Sequence, residues 1–152
     1  MKTSNLIATD AKVRQGTTAW FEMVGTLLSE AASRPGLSPD LDVSLVERYT
    51  DGVELSKGLF QGIRLDIRGG QLSFRVGVRR DERADTTVEV TATDARELNT
   101  LHGAAYDTAR NKFLGTGEMQ VDGDPSRMGH WLSSMRPKTS PRCLRSRSFS
   151  ID

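Results

Sequence analysis

The sequence has one cysteine, Cys143, and two histidines, His102 and His130. One thiol cannot close an intramolecular disulfide, and it excludes a cysteine-rich zinc site. The histidines lack metal-ligand spacing and no carboxylate cluster joins them, so no metal site and no catalytic residue is read. Long apolar runs are missing too. No stretch approaches the roughly 18 uncharged apolar residues of a membrane span. Residues 1–10 hold one lysine and no apolar run, which reads as no secretory signal and makes the cytoplasm the expected location. Nor is there an excess of one charge. Lys and Arg number 21 against 20 Asp and Glu, a net charge of +1. A strongly basic nucleic-acid binder would differ. What is present suits one ordinary domain: 152 residues, 36% hydrophobic, with 14 glycines. That composition excludes a wholly disordered chain.

The charge is unevenly spread. Residues 136–152 hold Arg136, Lys138, Arg142, Arg145 and Arg147 against Asp152 alone, so the body is slightly acidic. Pro137, Pro141 and several serines add to a segment that cannot bury enough apolar surface to offset its chain entropy. The reading is a folded domain over 1–135 and a disordered basic tail over 136–152. The expected state is a solvated tail, the alternative a basic arm in weak contact with acidic surfaces such as lipid or nucleic acid. Cys143 lies in it without a fixed base, and is read as incidental.

Periodicity defines the body. A helix is expected from near Asp10 to about Ala32, with Trp20, Phe21, Val24, Leu27, Leu28 and Ala31 on its apolar side. Arg34-Pro35-Gly36 stops it. Val43–Thr50 reads as a strand and Asp51-Gly52 as a turn. Leu59, Gln61, Ile63, Leu65 and Ile67 share one face of a strand, opposite Phe60, Gly62, Arg64 and Asp66. Gly69-Gly70 makes a hairpin turn, and Leu72, Phe74, Val76 and Val78 alternate beyond it. A charged loop, Arg79–Asp85, leads to a strand over Thr86–Ala92. This alternation implies an antiparallel sheet with one dry face. Asp94, with Glu97, is expected to cap a helix carrying Ala95, Leu98 and Leu101. His102-Gly103 ends it, placing His102 where its charge suits the helix dipole. A second helix holds Tyr106, Ala109, Phe113 and Leu114, and Gly115-Thr116-Gly117 ends it. Glu118–Val121 is a short strand, with Glu118, Gln120 and Asp122 on a solvated edge. Asp124 and Pro125 then start a last helix with Met128, Trp131, Leu132 and Met135 on one side. Asp122-Gly123-Asp124 opens like a calcium loop but meets Ser133 where that loop needs Glu. Gly115-x-Gly117 lacks the third glycine of a dinucleotide fingerprint.

This order is α+β: a single antiparallel-rich sheet of about five strands with helices packed on one face. It resembles the sterol carrier protein domain, the non-specific lipid-transfer family. The residues that carry the resemblance are Ala84-Asp85-Thr86-Thr87-Val88-Glu89-Val90 with Asp94-Ala95-Arg96, and the run Lys112 to Asp124 through Phe113, Gly115, Gly117 and Gly123. With Leu59 to Val78 the match covers about residues 43–135. The resemblance implies an apolar small molecule, such as a lipid, sterol or fatty-acyl chain, held in a hydrophobic cavity between sheet and helices. It implies no catalytic residues and no cofactor. Candidate lining residues are Trp20, Phe21, Val24, Phe60, Phe74, Phe113, Met119, Met128, Trp131 and Met135. Residues of these types at such spacing are more often plain core. Met119, Met128 and Met135 add adaptable thioethers.

Two other readings stand beside this one. The same cavity could house an enzyme, an isomerase, cyclase or hydrolase of a secondary metabolite using carboxylates or His102. Alternatively, the chain is an interaction module acting through its basic tail. The stripe over Pro125–Met135 suits either a cavity lid or a homodimer mate.

Overall fold

The computed structural model describes residues 13–34 and 36–128. The first helix, α1, spans Thr18–Ser33. It starts later than the apolar spacing suggests. The Thr17 hydroxyl accepts the Trp20 N–H at 3.2 Å, and residues 13–17 are not helical. A side chain that captures an unpaired first-turn N–H sets the boundary more firmly than periodicity does. The expected start at Asp10 lies outside the described residues.

Among the described residues six strands follow: β1 Val43–Tyr49, β2 Glu54–Ser56, β3 Leu59–Arg68, β4 Gln71–Val78, β5 Thr86–Val90 and β6 Met119–Asp122. β3 pairs antiparallel with β1, β2 and β4, and the pairing continues from β1 to β5 to β6. β2 was not expected. It folds back on β3 through Lys57-Gly58, where the Glu54 carboxylate accepts the Gly58 N–H at 2.7 Å. The β3–β4 turn is Gly69-Gly70 as read, both at positive φ, 57° and 76°. A side chain at Gly70 would run into the Ser38 carbonyl, so this turn needs glycine twice over.

β1 and β5 are parallel, with Leu45 beside Thr86 and Tyr49 beside Val90. The sheet is therefore mixed, not purely antiparallel. Alternation along a strand reports which side chains share a face, and says nothing of strand direction. The start of this ladder is locked by a reciprocal contact. The Asp85 carboxylate accepts the Ser44 N–H at 3.0 Å and its hydroxyl at 3.2 Å, while the Ser44 oxygen accepts the Asp85 N–H at 3.0 Å. These bonds hold the Asp85 carboxyl below the usual carboxylate range.

The registers sort the two faces. Val43, Leu45, Tyr49, Ile63, Leu65, Ile67, Val90 and Met119 are buried in the core cluster, with α1 and the later helices packed on them. The opposite face mixes arginines and carboxylates with buried Val46 and Val78, and the Arg79–Asp85 loop crosses it. There Arg48, 5% exposed, donates to the carbonyls of Arg79 at 3.1 Å and Glu82 at 2.9 Å, and pairs with Glu89 at 2.8 Å. The Glu82 carboxylate takes Arg64 at 3.0 Å, the Arg79 N–H at 3.1 Å and the Arg75 guanidinium. The charged loop is thus a pinned cover. Every buried charge in it has partners, which is the condition for burying charge at all.

Helix α2 spans Ala92–Thr100 and α3 spans Gly103–Thr116. The strand expected to reach Ala92 stops at Val90, and the cap of α2 is Thr91, not Asp94. The Thr91 hydroxyl accepts the Asp94 N–H at 3.1 Å. His102 caps the N-terminus of α3 without a side-chain bond. It also directly follows Leu101, the C-cap of α2, so it stands at the helix end where the sequence places it and at the start of the next helix. Gly115 lies inside α3, and Gly117, at φ 82°, is the left-handed residue that ends it. Glu118, Gln120 and Asp122 are exposed, as read. The expected last helix begins as one 3₁₀ turn, Pro125–Met128. Its continuation to Met135, with His130 and Trp131, and the tail over 136–152 with Cys143 lie outside the described residues. Among the described residues no helix is long and apolar enough to cross a membrane.

Candidate ligand-binding site

The predicted lining residues separate in the structure. Trp20 and Phe21 pack edge-on at 5.1 Å, and Phe21 meets Tyr49 at 5.6 Å. These rings, with Phe113, Met119 and Met128, are at most 8% exposed, so among the described residues they act as core. Val24 is half-buried against that core. Phe60 stands apart, its ring 4.1 Å beneath the Arg80 guanidinium of the crossing loop. Of the described candidates, Phe74 borders the groove between α1 and the strands. Trp131 and Met135 lie outside the described residues.

That groove, of about 630 Å³, is lined by Thr18, Glu22, Thr26, Leu55, Ser56, Phe74 and Val76. The helix contributes positions i, i+4 and i+8, which stack along one side. Phe74 reaches its place because α1 has Gly25 there. A Cβ at Gly25 would sit 2.4 Å from the ring. Glycine is a poor helix former, so its presence mid-helix is explained by the ring it admits. Leu55, Phe74 and Val76 make an apolar floor, and the three hydroxyls with Glu22 make a polar rim.

A second, smaller cavity of about 150 Å³ is lined by Gln15, Tyr49, Gln61, Ala92, Thr93 and Arg96. Gln15 donates to the Tyr49 hydroxyl at 3.1 Å. Burial pushes that hydroxyl well above the ordinary tyrosine range. Gln61 holds both chain segments there, donating to the Gly16 carbonyl at 2.9 Å and accepting the Val53 N–H at 3.0 Å. Both ends of its amide are engaged, so its role is structural. Among the described residues no group of three His, Cys, Asp or Glu could hold a metal ion. The calcium-loop carboxylates are occupied otherwise. Asp122 pairs with Arg83, and Asp124 accepts from the Ser126 N–H and hydroxyl.

Sequence reading missed the groove because β2 was missed. The signal was present in Leu55-Ser56-Lys57-Gly58-Leu59, two apolar positions around a glycine-bearing turn. Thr18, Glu22 and Thr26 gave no apolar signal, since a groove rim is polar.

No protein-family model and no curated protein matches the chain. Solved structures do. A conserved hypothetical protein of Thermus thermophilus, put forward as a sterol carrier protein, aligns over 92% of this chain and 94% of its own, at 14% identity and a TM-score of 0.54. The chain has the sterol carrier protein fold. Sterol carrier protein domain 2 of Helicoverpa armigera aligns over 86% of this chain and 94% of its own, at 13% identity and a TM-score of 0.44. The sec-alkylsulfatase Pisa1 of Pseudomonas sp. aligns over 73% of this chain at 23% identity and a TM-score of 0.43. This chain spans 15% of that enzyme's length.

Proposed function

We propose that this sterol-carrier-fold chain binds an apolar small molecule, a lipid, sterol or fatty-acyl-like compound, and carries or presents it. The observation that carries the reading is the groove with its floor of Leu55, Phe74 and Val76 and its polar rim. A volume of about 630 Å³ falls within the range of small-molecule sites, roughly 300–1,000 Å³. Binding would be driven by taking ligand and floor out of water, and the rim would fix orientation.

Native mass spectrometry with added cholesterol, fatty alcohols and fatty acids tests it. One-to-one uptake is expected. Thr26→Trp, an exposed rim position, should fill the groove and weaken uptake about tenfold, the equivalent of roughly 1.4 kcal/mol, with the helical circular dichroism retained. A chain that takes up none of these compounds would overturn the reading.

A further inference from the structure

The charge on the groove is one-sided. Of its seven described lining residues only Glu22 is ionisable, and none of them is basic. Glu22 is exposed and, among the described residues, forms no salt bridge. Two further charges stand on the neighbouring β2–β3 turn, Glu54 and Lys57. The Glu54 carboxylate is held by the Gly58 N–H, and neither residue lines the groove. An apolar ligand lying on Leu55, Phe74 and Val76 therefore brings its polar end to three hydroxyls and one carboxylate. The hydroxyls of Thr18, Thr26 and Ser56 both donate and accept, and accommodate any polar group. Glu22 does not. As an ionised acceptor it attracts an ammonium, tolerates an alcohol and repels a carboxylate.

We infer that Glu22 is the specificity-determining residue of the groove, selecting apolar ligands with a cationic amine over those ending in a carboxylate. This rests on the function proposed above and narrows it to a ligand class, the lipophilic amines. An alkylamine resembles a lysine side chain and is protonated at neutral pH, whereas a fatty acid is ionised there. An exposed pair of this kind is worth little, so the preference is a ratio of a few, and added salt screens it.

The test displaces a neutral apolar dye, Nile red, from the full chain with decylamine, 1-decanol and decanoate at low ionic strength. The expected order is amine, then alcohol, then carboxylate, with the amine favoured over the alcohol about threefold to fivefold. Raising the salt should shrink that ratio. Glu22→Gln should bring it to about one, and Glu22→Lys should put decanoate ahead of decylamine. Decanol displacement with no amine preference, or a preference that survives Glu22→Lys, overturns this inference and leaves the proposed function standing. Failure of all three compounds to displace the dye overturns both.

Discussion

A carboxylate buried as far as Glu82, 7% exposed, is costly unless its oxygens are occupied. Burial alone would raise its pKa. The Arg79 N–H, Arg64 and Arg75 outweigh that and hold it below the usual carboxylate range. Asp85 is lowered as well, chiefly by the Ser44 N–H. A group whose folded pKa is depressed contributes stability above its unfolded value, about 4.3 for Glu and 3.9 for Asp. That contribution is lost as pH falls through the lower folded value. Urea unfolding from pH 7 down to pH 2 should therefore show falling stability below about pH 4. Glu82→Gln should flatten part of that slope and destabilise the fold at pH 7 by about 3 kcal/mol, because Arg64 and Arg75 lose a buried partner. An unchanged midpoint would mean that the loop is held by its other contacts. None of this was legible in the sequence. Arg79–Asp85 read only as a charged loop, since the residues that hold it, Arg48 on its backbone carbonyls and Arg64 and Arg75 on the Glu82 carboxylate, sit on three different strands.

Among the elements, α1 makes the sharpest case. Replacing a mid-helix glycine by alanine ordinarily adds about 1 kcal/mol of stability. Gly25→Ala should instead destabilise by roughly 1–3 kcal/mol, because the new methyl group meets the Phe74 ring. In a Phe74→Ala background the same change should become stabilising, and thermal unfolding of the two singles and the double gives the coupling directly. Equal effects in both backgrounds would show that the ring yields freely. The caps teach a related point. Asp94 with Glu97 fits a capping pattern, yet Thr91 takes the cap three residues earlier. Both are acceptable sequence signals, and the end of the β1–β5 pairing at Tyr49 and Val90 decides between them. The Asp51 carboxylate then accepts the Ala92 N–H at 2.9 Å, supplying a second first-turn partner that no local pattern could reveal. Thr91→Ala should cost about 1 kcal/mol in a denaturant titration.

At the scale of the whole molecule, the layered arrangement was readable because period two and period 3.6 mark buried faces directly. Strand direction and the groove were not, since both depend on pairings between distant segments. If the groove holds a ligand, occupancy must stabilise the fold by mass action. At a ligand concentration one hundred times Kd that is about 2.7 kcal/mol, or roughly 8 °C in Tm for a chain this size. A differential scanning experiment with a saturating apolar ligand checks it, and no shift would mean no site-specific binding. The parallel β1–β5 ladder carries a consequence of another kind. Its residues lie 41 apart, from Leu45 and Thr86 to Tyr49 and Val90, with the whole β3–β4 hairpin between them. Closing so long a loop costs entropy before any contact repays it. The local hairpin is therefore expected to form first and to template β1, with β5 and β6 arriving late. In chevron measurements, Leu65→Ala on the hairpin should mainly slow folding, whereas Val90→Ala on β5 should mainly speed unfolding. The loop that crosses the open face would then be among the last segments to settle, locking from outside a sheet whose interior had already been built.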